Sequence, residues 1–546
     1  MSTTVVPPRP LGTSAFAPAS GSVISARSAE RHVNPWVVTV SVMLATFMEI
    51  LDTTVVNVSI PHIAGNLSAS LDEGTWVVTS YLVSNAVVLP MAGWLANYFG
   101  RRRTLMACVV GFTVTSVLCG LSNSLAALIV FRILQGLSGG GMQPLAQSIM
   151  LEAFPRQKHG QAMAAYGVGI ILAPILGPAL GGYITDTYSW RWIFYLNVPI
   201  GLLSLVLMSR FVWDPRYIKR GKGGVDLWGI GFLALGIGML QVILDTGQRN
   251  DWFASYLIRT EAVLCVLGLI FFVVRELTTP HPIVDLSVFR DTTYAAGVFL
   301  ISTLGFVLYA SLVLLPIYLQ TLLGYPAFDA GLALSPRGVG SLLTMPVAGI
   351  LTSKGHVRKL LVFGLSLCGF TMWQLSRLNL GAGYWDVFWP QLLQGIGMSF
   401  LFIPILAAAV SRVRKEKMGN ATSVFNLMRN IGGSFGIAVM TTFLARRQQV
   451  HQNHLISNIS PYDPETWQML QGARAWFMSR GADHSTAMQQ AYGSLYGTVQ
   501  RQAAMLSFVE AFWVMAVVFF VVIGAVFILR PKPHAEEDHE GPMIGD

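Results

Sequence analysis

A chain of 546 residues that is 53% hydrophobic and only 12% charged, with a mean hydropathy of +0.56, is not an ordinary soluble protein, in which about a quarter of residues carry charge. The net charge of +9 does not mark a nucleic-acid binder, because the basic residues gather in short loops between apolar runs, as membrane topology requires. No phosphate-binding loop ending in Gly-Lys-Ser or Gly-Lys-Thr is present, which excludes an ATP-driven pump within this chain.

Residues 1–35 are rich in Ser, Pro and Ala and lack the apolar core of a signal peptide. They read as a disordered cytoplasmic tail. Fourteen apolar runs follow, many of them reaching the roughly 20 residues that a spanning helix needs. They cover 36–58, 74–98, 104–121, 125–148, 161–183, 192–211, 226–244, 256–275, 293–320, 330–352, 359–378, 386–410, 419–444 and 506–529. The expected fold class is an all-α polytopic membrane protein. Lys and Arg concentrate after the even-numbered runs, as in Arg101–Arg103, Lys354 with Arg358, and Arg412 to Lys417, whereas the loops after runs 1, 3 and 9 carry none. That asymmetry predicts cytoplasmic N- and C-termini, with a short cytoplasmic tail at 530–546. Trp76, Trp190, Trp192, Trp252 and Trp385 lie near run ends, as interfacial anchors do. Cys108, Cys119, Cys265 and Cys368 all fall inside apolar runs and read as small apolar side chains rather than metal ligands.

The chain repeats itself. Gly160, Gln161, Ala162 before the fifth run resembles Gly419, Asn420, Ala421 before the thirteenth, and Gly177 matches Gly436 at the same offset. Gln135 and Gly136 align in the same way with Gln394 and Gly395, and Gly93 with Leu95 echoes Gly349 with Leu351. Residues 36–211 and 293–529 therefore read as two six-helix repeats, with 226–275 as two inserted helices. Parallel repeats of this kind belong to transporters whose site lies at mid-membrane between the halves. The segment 445–505 differs from every other loop. Asp463, Pro464, Glu465 is a helix-start signal, and Trp467 to Met478 and Thr486 to Gln502 look amphipathic, which suits either a self-contained lid or a docking element.

The candidate chemistry begins in the first run. Glu49 and Asp52 lie three residues apart, share a helix face, and sit about 20–24 Å along a helix starting at Trp36. Ionisable groups that deep in a bilayer are functional candidates, and carboxylates there suit proton relay. Arg132, Arg337, Arg429 and Glu510 are further candidate charges inside runs. In the fifth run Pro174, Gly177, Pro178, Gly181 and Gly182 predict a kinked, closely packed helix able to hinge or seal a cavity. Gly93, Arg101 and Arg102 after the second run are further gate candidates. Polar groups at Asn57, Asn85, Gln135, Gln143, Tyr309, Gln394, Asn426 and Arg429, set among Phe306 and other aromatic and Met side chains, predict an adaptable substrate cavity.

With these residues in view, the chain resembles the fourteen-span drug:proton antiporters of the major facilitator superfamily, most closely the EmrB/QacA branch. Leu51 to Pro61 resembles the first-span signature, and Gly74, Thr75, Trp76, Val77 to Tyr81, Leu82 the entry to the second. Arg132, Gln135, Gly136, Gly139, Gly140 resembles the fourth-span signature, and Gly177, Pro178, Gly181, Gly182 the antiporter signature of the fifth. The resemblance implies a non-enzymatic exporter of amphipathic drugs at the bacterial inner membrane. It needs no cofactor beyond the proton gradient, and Asp52 and Arg132 are its coupling residues. It also implies a periplasmic adaptor and an outer-membrane channel engaged through 445–505, with lipid around the chain and no nucleic acid. Asn97 stands where the superfamily has Asp and Tyr98 where Arg is common, which predicts a differently wired gate; Ala164 and Ala173 replace glycines in the fifth run. Export of an endogenous siderophore, lipid or metabolite is the rival within transport, and a non-transporting scaffold or sensor the rival outside it.

Overall fold

The computed structural model describes residues 34–214, 225–280, 282–460 and 462–529. The tails expected at 1–35 and 530–546, Asn34 and Pro35 apart, lie outside the described residues. Every regular element among those residues is helical. A first group comprises α1 (Pro35–Asn66), α2 (Leu71–Val88), α3 (Ala92–Phe99), α4 (Arg101–Leu121), α5 (Leu125–Gly139), α6 (Met142–Ala153), α7 (His159–Thr187), α8 (Trp192–Tyr195) and α9 (Asn197–Phe211). Next come α10 (Leu227–Thr246) and α11 (Tyr256–Thr278), packed on each other. A second group comprises α12 (Thr292–Thr321), α13 (Ala327–Ser353), α14 (Val357–Leu375), α15 (Tyr384–Ala409), α16 (Met418–Ser457), α17 (Pro464–Ser479) and α18 (His484–Val526).

All fourteen apolar runs are helical, and ten helices among the described residues are long and apolar enough to cross a membrane. The chain is a multi-pass membrane protein. Three runs are broken rather than continuous, the sixth at Leu196 between α8 and α9. The second is interrupted by a tight turn of helix at Leu89–Met91, where Pro90 lacks the amide that a regular α-helix needs. The fourth breaks at Gly140 and Gly141, between α5 and α6. A side chain at Gly140 would lie 2.5 Å from the Asn85 carbonyl, so this glycine lets the broken helix rest directly on α2.

Three features depart from the sequence reading. Trp190, expected at an interface, is 1% exposed and packs in a core with Leu51, Val55 and Phe194. The last helix begins at His484 rather than near 506, because Asp483 caps it by accepting from the Ser485 and Thr486 amides. Within 445–505 the helix start at Asp463 is as the sequence signals it, and the departure is that α16 and α18 both run on into the segment and flank α17.

The inserted pair covers the line where the two groups meet. Ile283 and Val284 after α11, with Leu233, Ile237 and Phe272, bury against Leu89 and Met91 of the first group and Val424 and Leu427 of the second. Helix α10 also bonds to both sides, through Thr79–Asp245 to α2 and Gln241–Ser434, 2.9 Å, to α16.

Candidate functional site

Helix α1 supplies both acids, and the structure gives them different partners. Asp52 points into the first helix group. Its Oδ2 accepts from Arg132 at 2.6 Å, and both side chains are fully buried. Oδ1 accepts from Gln135 Nε2 at 3.1 Å and from Asn197 Nδ2 at 2.7 Å. Arg132 also donates to the Val77 carbonyl at 3.0 Å and to Gln135 Oε1 at 2.8 Å, and lies 4.3 Å over the Tyr81 ring. A buried carboxylate is thus held as a charge by one guanidinium and two amides, the arrangement that makes burying an ion tolerable. Losing or gaining a proton at Asp52 reorganises that whole set.

Glu49 turns towards the meeting line of the two groups. Asn85 Nδ2 donates to its Oε1 at 2.9 Å, while Oε2 has no hydrogen-bond partner among the described residues. The cation acting on it is Arg429 of α16, from the opposite group. Arg429 donates to Gln143 Oε1 at 2.6 Å, Asn426 donates to Gln147 Oε1 at 2.6 Å, and Thr422 donates to the Pro144 carbonyl at 3.0 Å. The seam between α6 and α16 is therefore polar along its length, with one acid on its first-group side and one guanidinium on the other.

The expected residues sort accordingly. Asp52, Arg132 and Gln135 form one site, so Gln135 belongs to the buried acid and not to a cavity wall. Glu49, Asn85, Gln143, Asn426 and Arg429 form the seam. Phe306 and Tyr309 of α12 pack against α16, with the Phe306 and Phe435 rings 6.3 Å apart. Gln394 is buried inside the second group beside Arg337, at 2.6 Å, away from the seam. Asn57 is exposed and joins neither set. Asn197, Gln147 and Ser116, whose Oγ accepts from Asn197 Nδ2 at 2.9 Å, are not singled out by the sequence. Gln147 had a signal in its four-residue spacing from Gln143, whereas a lone Asn in an apolar run does not reveal where it points.

The gate candidates also divide. Gly177 and Gly181 pack α7 on α1: a side chain at Gly181 would lie 3.1 Å from the Val55 carbonyl. Gly182 faces open space, and the side chain of Pro178 lies outside the described residues, although both it and Pro174 continue a helix. Arg101 pairs with Glu152, and Arg102 donates to the Ser209 carbonyl at 2.5 Å while its amide meets Asp214 at 2.8 Å. Both arginines bond within the first group. The crossing is made by glycines. A side chain on Gly93 would lie 2.6 Å from Asn420 Cα, and one on Gly349 would lie 2.7 Å from the Gly160 carbonyl. The repeat partners are thus crossed: Gly93 meets the Gly419 turn, and Gly349 meets the Gly160 turn. At this end, which carries the basic loops, backbones touch and the seam is shut.

A family profile described as Major Facilitator Superfamily matches residues 42–437. "Multidrug export protein EmrB" of Escherichia coli strain K12 is 36% identical over 91% of this chain and 95% of its own length. "Fatty acid resistance protein FarB" of Neisseria gonorrhoeae is also 36% identical, over 91% of this chain and 96% of its own. Among solved structures, a double-tryptophan XylE mutant superposes with a TM-score of 0.61 over 92% of this chain and 97% of its own, at 15% identity. That last likeness is one of fold.

Proposed function

The chain belongs to the Major Facilitator Superfamily, and from that premise we propose that it is a proton-coupled exporter of amphipathic toxic compounds working by alternating access, with all fourteen helical runs crossing the membrane. Relatives named for multidrug export and for fatty acid resistance support that substrate class. The observation that carries proton coupling is the fully buried Asp52–Arg132 pair at 2.6 Å. A carboxylate with no exposure exchanges its counter-ion only by taking a proton, and intramembrane acids of this kind serve as relays.

In this reading a proton from outside reaches Asp52 when the cavity opens outward. The Arg132 pair loosens, substrate leaves, and the protonated protein turns inward and discharges. The crossed glycine contacts close the cytoplasmic end, so the described conformation is the one that precedes inward opening. Beyond the spans, Tyr462 in the turn before α17, Trp467 and Trp476 of α17 and Tyr492 of α18 are exposed, which supports docking of a periplasmic adaptor leading to an outer-membrane channel.

Everted vesicles test the reading. Energised vesicles should accumulate ethidium, and collapse of the pH gradient should release it. Accumulation that survives a protonophore would overturn proton coupling.

A further inference from the structure

The second helix group contains a copy of the Asp52 site in which the acid is missing. Ser311 and Gln394 stand from Asp52 and Gln135 at the same offset that relates Gly436 to Gly177. As in the first group, a guanidinium donates to both: Arg337 reaches Gln394 Oε1 at 2.6 Å and Ser311 Oγ at 3.2 Å. Gln391 stands where Arg132 would be, and the guanidinium comes from the neighbouring helix α13 instead. The geometry of the pair is kept, but a hydroxyl occupies the position of the carboxylate.

The consequence is a concentration of unmet donors. Arg337 is 8% exposed, Gln391 and Gln394 are 0% exposed, and no carboxylate pairs with Arg337 among the described residues. Arg337 Nε and Nη1 and Gln394 Nε2, three donors, are buried without a hydrogen-bond partner among the described residues, against one such acceptor, Gln391 Oε1. Buried charges are ordinarily paired, because an uncompensated ion out of water is strongly unfavourable. A planar guanidinium with two free N–H groups and a neighbouring amide donor is matched by a carboxylate or a small monoanion. We propose that Arg337 and Gln394 form an anion-binding site in the second helix group, taking the carboxylate of an anionic amphiphile or a small free anion such as chloride. The carboxylate case rests on the export function proposed above; the site itself does not.

Two variants separate the site from the fold. Arg337→Gln removes the charge. Ser311→Asp supplies an internal carboxylate where the first group has Asp52, filling the site as Asp52 fills the other. Purified full-length protein is measured for saturable binding of radiolabelled octanoate and, separately, of radiolabelled chloride. Wild type should bind at least one probe, each variant at least tenfold more weakly, and Arg337→Lys should retain binding. Octanoate binding assigns the site to a substrate carboxylate, and chloride binding alone to a resident anion; both support the site. Absence of saturable binding of either probe, or equal binding by wild type and both variants, overturns it. Ethidium efflux is measured in parallel. A monodisperse gel-filtration peak and a wild-type unfolding temperature in detergent show that each variant is folded. Loss of ethidium efflux from wild type would sink the export function and leave the binding result standing on its own.

Discussion

Replacing Asp52 with Asn tests the coupling site where the structure makes the sharpest demand. The two carboxylate oxygens face donors on both sides, Arg132 at Oδ2 and the Gln135 and Asn197 amides at Oδ1. Asparagine has one oxygen and one NH2 group, so in either orientation a donor meets a donor. Its shape fits; its hydrogen-bonding pattern does not. The substitution also leaves Arg132 buried without a counter-charge, and breaking a buried pair in this way costs about 3–5 kcal/mol. Asp52→Asn should therefore lower the thermal unfolding temperature in detergent and abolish gradient-driven ethidium efflux. Pairing it with Arg132→Gln removes the stranded charge, and the double variant should recover most of the lost stability but none of the transport. That split is the signature of an acid needed for protons and not merely for folding. Gradient-driven efflux by a well-expressed Asp52→Asn protein would refute the reasoning, as would a double variant no more stable than the single one.

Three further outcomes follow from other parts of the molecule. Glu49→Gln keeps an acceptor for Asn85 and should leave stability within about 1 kcal/mol, but it removes the carboxylate that faces Arg429; cationic dye export should fall at least tenfold while export of neutral substrates persists, measured as separate dose–response curves. Gly93→Ala places a methyl against the Asn420 backbone, at a cost of about 1–3 kcal/mol to the shut seam, so spin labels on α3 and α16 should report a longer distance distribution than in wild type. In the loop before α12, burial pushes the Asp285 carboxyl up, but hydrogen bonds from Lys417 and Ser287 outweigh it and hold the group below its ordinary 3.8. With the folded value depressed, the Lys417–Asp285 bridge at 2.6 Å contributes fully above pH 3.8 and is lost as pH falls further. Lys417 is 42% exposed, so the contribution is under about 1 kcal/mol, and Lys417→Met should flatten that acid limb of the unfolding profile.

The helical runs were legible because lipid forces every backbone amide to be satisfied within its own helix, which leaves long apolar stretches in the sequence. The breaks at Pro90 and at Gly140–Gly141 were marked by residues that spanning helices tolerate, so their presence alone did not say which would interrupt the helix. Asp52 and Arg132 were readable from depth and motif, but the amide of Asn197 that completes the site comes from α9, and its direction depends on packing. The gate was half-legible. Gly93 crosses the seam as its motif suggests, yet Arg101 and Arg102 turn inward to Glu152, Ser209 and Asp214, partners that no local spacing identifies. Ser311 carried the least signal of all, since a serine in an apolar run is unremarkable until its repeat partner is seen to be an acid.

The separation of Glu49 from Asp52 changes what coupling requires. Three residues apart on one helix, they read from sequence as like-charged neighbours sharing a titration. In the fold they stay on one side of α1 but take different partners, Asp52 among first-group helices and Glu49 at the seam, so a proton at Asp52 reaches the seam through the groups that link the two sets. The physical link is short. Arg132 lies 4.3 Å over the Tyr81 ring, the Tyr81 hydroxyl is 3.5 Å from Asn85 Nδ2, and Asn85 donates to Glu49 at 2.9 Å. Tyr81→Phe keeps the ring beneath the guanidinium and deletes only the hydroxyl. Because 3.5 Å is at the outer limit of a hydrogen bond, the loss of stability should be at most about 1 kcal/mol. Transport should respond more than stability does: with Asp52 and Glu49 both intact, ethidium efflux per imposed pH unit should drop severalfold, while dye binding at fixed pH is unchanged. Efflux indistinguishable from wild type would mean that the two acids communicate by another route, such as movement of α1 as a rigid rod.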